Sequence, residues 1–180
     1  KVIDPDAPVH IESSAQSEED LVENKADLIE IFQDDFEEEL WKWRVKRYSG
    51  YNDFMKWHLS GKEYVSGKRG LTLGHQDTNR KENYDTVHIE TKEDFFLTEE
   101  SVLSFKIKKE YQINLEIVLK KEWDGNKETV VTFYPGNSMY KEWREEEIPL
   151  GLYIDKGEYT LMLRAWDQGS LYIDDIKIQK

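Results

Sequence analysis

The sequence predicts an all-β fold, two antiparallel sheets packed as a β-sandwich, preceded by a mostly irregular or short-helical tail. Three observations carry this. From Leu28 onward the apolar residues alternate with a period of two, which is the period of a strand with one buried face. β-branched and aromatic residues fill the alternating runs, and aromatics reach 13% of the chain. The runs recur about every 10–15 residues with Gly, Asn and Asp between them and no helical pattern, as in sandwiches.

Residues 1–27 read as a linker or tail, and residues 28–180 as the sandwich domain. KVIDPDAPVH and the acidic IESSAQSEED bring too little apolar surface to order themselves. The alternative there is a short helix, with Ser17 as N-cap and Asp20 at the third position. LIEIFQDDFEEELWKW, from Leu28, holds the first strand. Short strands are expected at MKWHL, GLTLG and TVHIE, between Gly- and Asn-rich loops. SVLSFKIKKE sets Leu103, Phe105 and Ile107 against Val102, Ser104 and Lys106. In the next run Ile113, Leu115, Ile117 and Leu119 share a face. ETVVTFYP, GEYTLMLRAW and SLYIDDIKI complete the set. Between them, WDGNK, PGNS, DKGE and DQGS supply the turn residues that hairpins require.

A chain of 180 residues can bury a substantial core. Its net charge of -13 argues against nucleic acid and against anionic membrane surfaces. No apolar run approaches the ~18 residues of a spanning helix, so membrane insertion is not expected. There is no cysteine, which excludes disulfides and thiolate metal sites. The chain opens on Lys1, so a leader or anchor is expected to lie outside this sequence. HExxH, GxSxG, GxGxxG and Walker patterns are all lacking, and the four histidines have no ligand spacing. The expectation is a protein that is not an enzyme. A small hydrolase on the same scaffold is the minor alternative.

LYIDDIKI raises the sharpest question. Ideal alternation puts Asp174 on one face with Tyr172, Ile176 and Ile178, where a lone carboxylate is costly. The first strand repeats the pattern, with Asp34 between Phe32 and Phe36 and with Asp35 and Glu37 opposite. If the first and last strands are neighbours, these carboxylates converge and need a cation. Oxygen-only ligands point to structural Ca²⁺ held among Asp34, Asp35, Glu37, Asp174 and Asp175. Two readings without metal stay open: a bulge that shifts the phase of the strand, and mostly solvated edge charges with one buried Asp satisfied by backbone amides.

DDFE near the start, a downstream Trp, and the closing GSLYIDDIKI together resemble extracellular jelly-roll domains. These are the MAM-like and cleaved-adhesin ("choice-of-anchor") domains of secreted bacterial proteins, in the galactose-binding-like superfamily. The resemblance spans about Ile29 to Ile178. It implies a jelly roll and a calcium bridging the first and last strands through Glu37, Asp35 and Asp174 or Asp175. It also implies a non-catalytic accessory module of a secreted or surface protein, beside another domain of the same chain. The family shows Gly-Trp after DFE, whereas Leu40-Trp41-Lys42-Trp43 follows here.

The expected partner is a glycan, or alternatively an extracellular protein. Turn-borne aromatics are the candidate stacking surface: Trp123, Trp166, Tyr134 and Tyr140. His75, Asp77 and Arg80 offer hydrogen-bonding groups on a loop. Trp43 and Trp57 are expected in the core.

Overall fold

A computed structural model describes residues 28–47, 55–75, 87–110, 113–135, 140–166 and 169–180. The tail expected at residues 1–27 lies outside the described residues. Twelve strands follow in chain order: β1 (Glu30–Asp34), β2 (Trp43–Arg47), β3 (Met55–Ser60), β4 (Gly70–His75), β5 (Val87–Thr91), β6 (Phe95–Leu97), β7 (Val102–Glu110), β8 (Asn114–Trp123), β9 (Asn126–Phe133), β10 (Tyr140–Pro149), β11 (Gly157–Trp166) and β12 (Ser170–Gln179). One sheet runs β10-β7-β12-β4-β3, with β1 also beside β12. The other runs β2-β5-β11-β8-β9, with β6 also beside β11. Every pairing is antiparallel.

Period-two alternation decides what is buried. Leu103, Phe105 and Ile107 of β7 face Leu115, Ile117 and Leu119 of β8 and Leu161, Leu163 and Ala165 of β11 across the core. Trp43, Trp57, Phe36 and Phe95 close the cluster, so both tryptophans expected in the core are there. WDGNK makes the β8–β9 hairpin. Asp124 and Gly125 both have positive φ, 48° and 78°, as a two-residue turn matching strand twist demands.

Three strands were not legible in the sequence. β2 and β6 are short. β10 is YKEWREEEIP, an edge strand beside β7 in which Ile148 packs against the core. Its glutamates suit an edge that must repel further strands.

The central strands share one feature. β12 pairs with β7 on one side, while its other side is divided between β4 (Ser170–Ile173) and β1 (Ile176–Gln179). β11 pairs with β8 on one side, and its other side is divided between β6 (Gly157–Tyr159) and β5 (Met162–Ala165).

Candidate functional site

The Asp174–Asp175 pair sits where β12 passes from β4 to β1. Between Asp174 and Lys177 the register against β7 slips, and Asp175 takes φ 50°. This is a β-bulge, and it corrects the uniform alternation expected for LYIDDIKI. Leu171 and Ile173 before it, and Ile176 and Ile178 after it, all face the core. Without the extra residue one of these apolar pairs would point outward.

The bulge holds loop 61–69. Asp174 is fully buried, and its Oδ2 accepts from the amides of Val65 (2.7 Å) and Ser66 (3.1 Å). Its Oδ1 accepts from the Asp175 amide at 2.9 Å. Burial pushes the Asp174 carboxyl above the usual range, against these three amide bonds. Asp175 accepts from the Ser66 hydroxyl (2.5 Å) and from Lys106 Nζ (2.8 Å). Burial works to raise its pKa, but these two bonds outweigh it and hold Asp175 below the ordinary value.

The β1–β2 connection grips the same loop from the other side. Glu37 Oε1 accepts from the amides of Lys68 (2.6 Å) and Arg69 (2.7 Å), which hold its carboxyl low. Arg69 also donates to the Glu37 carbonyl. Gly67 has φ 64°, and a Cβ there would lie 2.3 Å from the Glu37 carboxyl carbon. Asp34 Oδ1 accepts from the Phe36 amide at 2.9 Å, and its Oδ2 accepts from the Trp43 indole at 2.7 Å. Asp35 is exposed, and its Oδ1 caps the Glu37 amide.

The carboxylates expected to hold calcium lie on β1, on β12 and on the connection that follows β1. Among the described residues, however, no three acidic groups come close enough to form a metal-holding group. N–H groups, with a hydroxyl and an ammonium, face their oxygens, and an amide donor is the wrong polarity for a cation shell. As arranged, this donor set does not fit calcium.

The outward face of the β11 sheet has a different character. Register lines up His88 of β5, Arg164 of β11 and Glu116 of β8 in one row. The next row carries Arg44, Glu90, Met162 and Val118. Met162 and Val118 are buried and form an apolar floor. The Glu116 side chain is 7% exposed and receives Nε and Nη2 of Arg164, with the Tyr134 hydroxyl beside it. The neighbouring carboxylate raises the Tyr134 pKa. The Glu90 side chain is 3% exposed, with Arg44 at 3.2 Å and Lys120 at 3.4 Å. Buried carboxylates persist when paired and hydrogen-bonded in this way.

Trp166 ends β11 opposite Asn114 and is half-buried. Tyr134 directly follows β9 and is exposed. From strand spacing and rise their backbones stand about 12 Å apart. Trp123 lies at the far end of β8, about 30 Å from the row of Trp166. It is exposed but belongs to a different surface. β4 and β10 bring His75 and Tyr140 to the same end of the sandwich as Trp166, in the other sheet. Their side chains, like the whole of Asp77 and Arg80, lie outside the described residues.

Sequence reasoning missed Glu116, Arg164, Glu90 and Arg44. Each occupies a polar position of an alternating strand and reads there as solvated. Only register shows that the charges pair.

Together these features define a fold, the two-sheet antiparallel β-sandwich. No family model matches the sequence, and no curated protein is similar to it in sequence. Solved structures share the fold. A cleaved adhesin domain of Lys-gingipain from Porphyromonas gingivalis superposes with a TM-score of 0.54 at 12% identity, over 83% of this chain and 98% of that one. The CBM22-1 xylan-binding domain from Paenibacillus barcinonensis gives 0.52 at 14% identity, over 84% and 93%. The glycoside hydrolase domain structure of Endo-D from Streptococcus pneumoniae gives 0.56 at 13% identity, over 76% of this chain and 21% of that one.

Proposed function

We propose that this chain is a non-catalytic carbohydrate-binding module of an extracellular or surface protein, and that the outward face of the β11 sheet holds the glycan. One observation carries the reading. Tyr134 and Trp166 flank a sheet surface on which Arg164 and Glu116 are locked together. Aromatic faces stack on the apolar faces of pyranose rings. Fixed guanidinium and carboxylate groups between them orient hydroxyls at little entropic cost. The two solved carbohydrate-binding and adhesin modules reported above support the choice by fold alone.

The test is a glycan array followed by calorimetry on the best ligand. Trp166→Ala and Tyr134→Ala should each weaken binding about tenfold or more, in line with the loss of a stacked ring. Trp123→Ala should leave binding unchanged, since Trp123 lies on another surface. Binding that survives both of the first substitutions would remove this face from the site. Leu152 and Tyr153, exposed on the β10–β11 connection, favour the second reading of a protein-binding surface. Capture of a protein partner that is lost on Leu152→Asp but kept on Trp166→Ala would establish that reading.

A further inference from the structure

We infer that the glycan bound by the β11 sheet carries oxyanions, carboxylate or sulfate, rather than being neutral. This rests on the proposed glycan site and names its ligand class. The argument begins with depth. The two carboxylates of these two rows, Glu90 and Glu116, lie at the bottom, with side chains 3% and 7% exposed, while the arginines paired with them reach outward. Arg44 is 54% exposed and Arg164 is 39% exposed.

The acceptors are also occupied. Glu90 Oε1 is taken by Arg44 and its Oε2 by Lys120. Glu116 Oε2 receives both Nε and Nη2 of Arg164, and the Tyr134 hydroxyl lies beside the carboxylate. Between Tyr134 and Trp166, what these two rows turn to solvent is therefore led by the N–H donors of Arg44 and Arg164. A guanidinium has five N–H groups. Arg164 commits Nε and Nη2 to Glu116, and Arg44 commits Nη1 to Glu90. The remaining donors of each fork are disposed for an incoming acceptor.

A neutral sugar brings hydroxyls that both donate and accept, and it would leave its own donors short of partners here. A carboxylate or sulfate group replaces some of those hydroxyls with acceptors only. Charge-assisted bonds from arginine to an oxyanion are about twice as strong as neutral ones. The overall charge of -13 does not oppose this. Distant exposed charges are screened beyond ~8 Å at physiological salt, so the local cations govern the site.

The experiment is calorimetry on matched oligomers at low and high salt: oligogalacturonate, a sulfated oligosaccharide, xylohexaose and cellohexaose. The expected result is binding to an oxyanion-bearing oligomer at least tenfold tighter than to either neutral one, weakening as salt rises. The carboxylated and sulfated arms say which oxyanion is read. Arg44→Gln, at an exposed position, should lower that affinity about tenfold with the fold intact. Arg164→Gln should do the same, with circular dichroism checking that Glu116 has not unfolded the strand. Equal or tighter binding of a neutral oligomer, insensitive to salt, overturns the inference and leaves the glycan site standing. Binding to none of the four, with a protein ligand found instead, removes the site itself.

Discussion

β12 and β11 face the same geometric problem and solve it with different chemistry. Each is a central strand with one edge divided between two neighbours, so backbone groups at the division lose their ladder partners. On β11 the division is short. Alternation continues through it without a bulge, and the Thr91 hydroxyl accepts from the Leu161 amide at 3.2 Å. Nearby, Asp94 accepts from Thr160 and Lys127, each at 2.5 Å. On β12 the division is wide enough to admit loop 61–69. There the strand bulges, and buried carboxylates take the amides of the incoming loop. A hydroxyl suffices where one amide needs a partner. Where a whole loop is docked, its clustered amides call for carboxylates.

Breaking the β12 solution should have the largest effect. Asp174→Ala strands the amides of Val65, Ser66 and Asp175 inside the protein, at a cost of about 3 kcal/mol or more. The midpoint of urea denaturation should fall clearly below wild type. An unchanged midpoint would mean that the loop does not depend on the bulge. The β11 counterpart, Thr91→Val, removes one neutral acceptor and should cost only about 1 kcal/mol, measured in the same way.

Acid sharpens the comparison within the bulge itself. Asp175 and Asp94 titrate below the ordinary aspartate value in the folded protein. Their contribution to stability is present above that value and is lost as pH falls through the lower folded pKa. Asp174 has the opposite sign. Its raised pKa means the folded state takes up the proton first, so acidification through that window favours the fold. Asp175→Asn should therefore flatten the acid limb of stability between neutral pH and about pH 3. Denaturation midpoints at the two pH values measure it, and an acid limb as steep as wild type would assign the loss to other carboxylates.

The smallest expected effect concerns calcium. Carboxylates already satisfied by amides predict the same thermal midpoint in calcium and in excess chelator. A rise of several degrees in calcium would show an ion joining the seam, through the linkage between ligand binding and unfolding.

How much of this was legible in the sequence depends on whether a feature is local. Period-two runs such as NLEIVLKKE and GEYTLMLRAW declare their strands and buried faces residue by residue, and the structure keeps them. The oddity of two DD pairs was also legible, the pairing of first and last strands entered as a condition, and the bulge was among the readings left open. Which amides meet the aspartate was not legible, because they come from loop 61–69, more than a hundred residues before Asp174. The Arg164–Glu116 pair was hidden for the same reason, since 48 residues separate its members. β10 was obscure because an edge strand buries little and its glutamates read as a solvated stretch.

The pairing of β1 with β12 also sets how the domain bears tension. Ile29 donates to the Lys180 carbonyl at 2.7 Å, and Lys180 donates back to Ile29 at 3.0 Å. The two outer ends of the domain are thus fastened side by side. A pull that draws them apart acts across the strands and opens one rung at a time from that end. It never loads all the rungs together as shear would. The seam would yield at low force, and β1 would peel away from Gln179 toward Ile176 until it met the loop held by Glu37 and the two aspartates. Such a module would lengthen gently under strain while the face bearing Trp166 and Tyr134, in the opposite sheet, kept its shape.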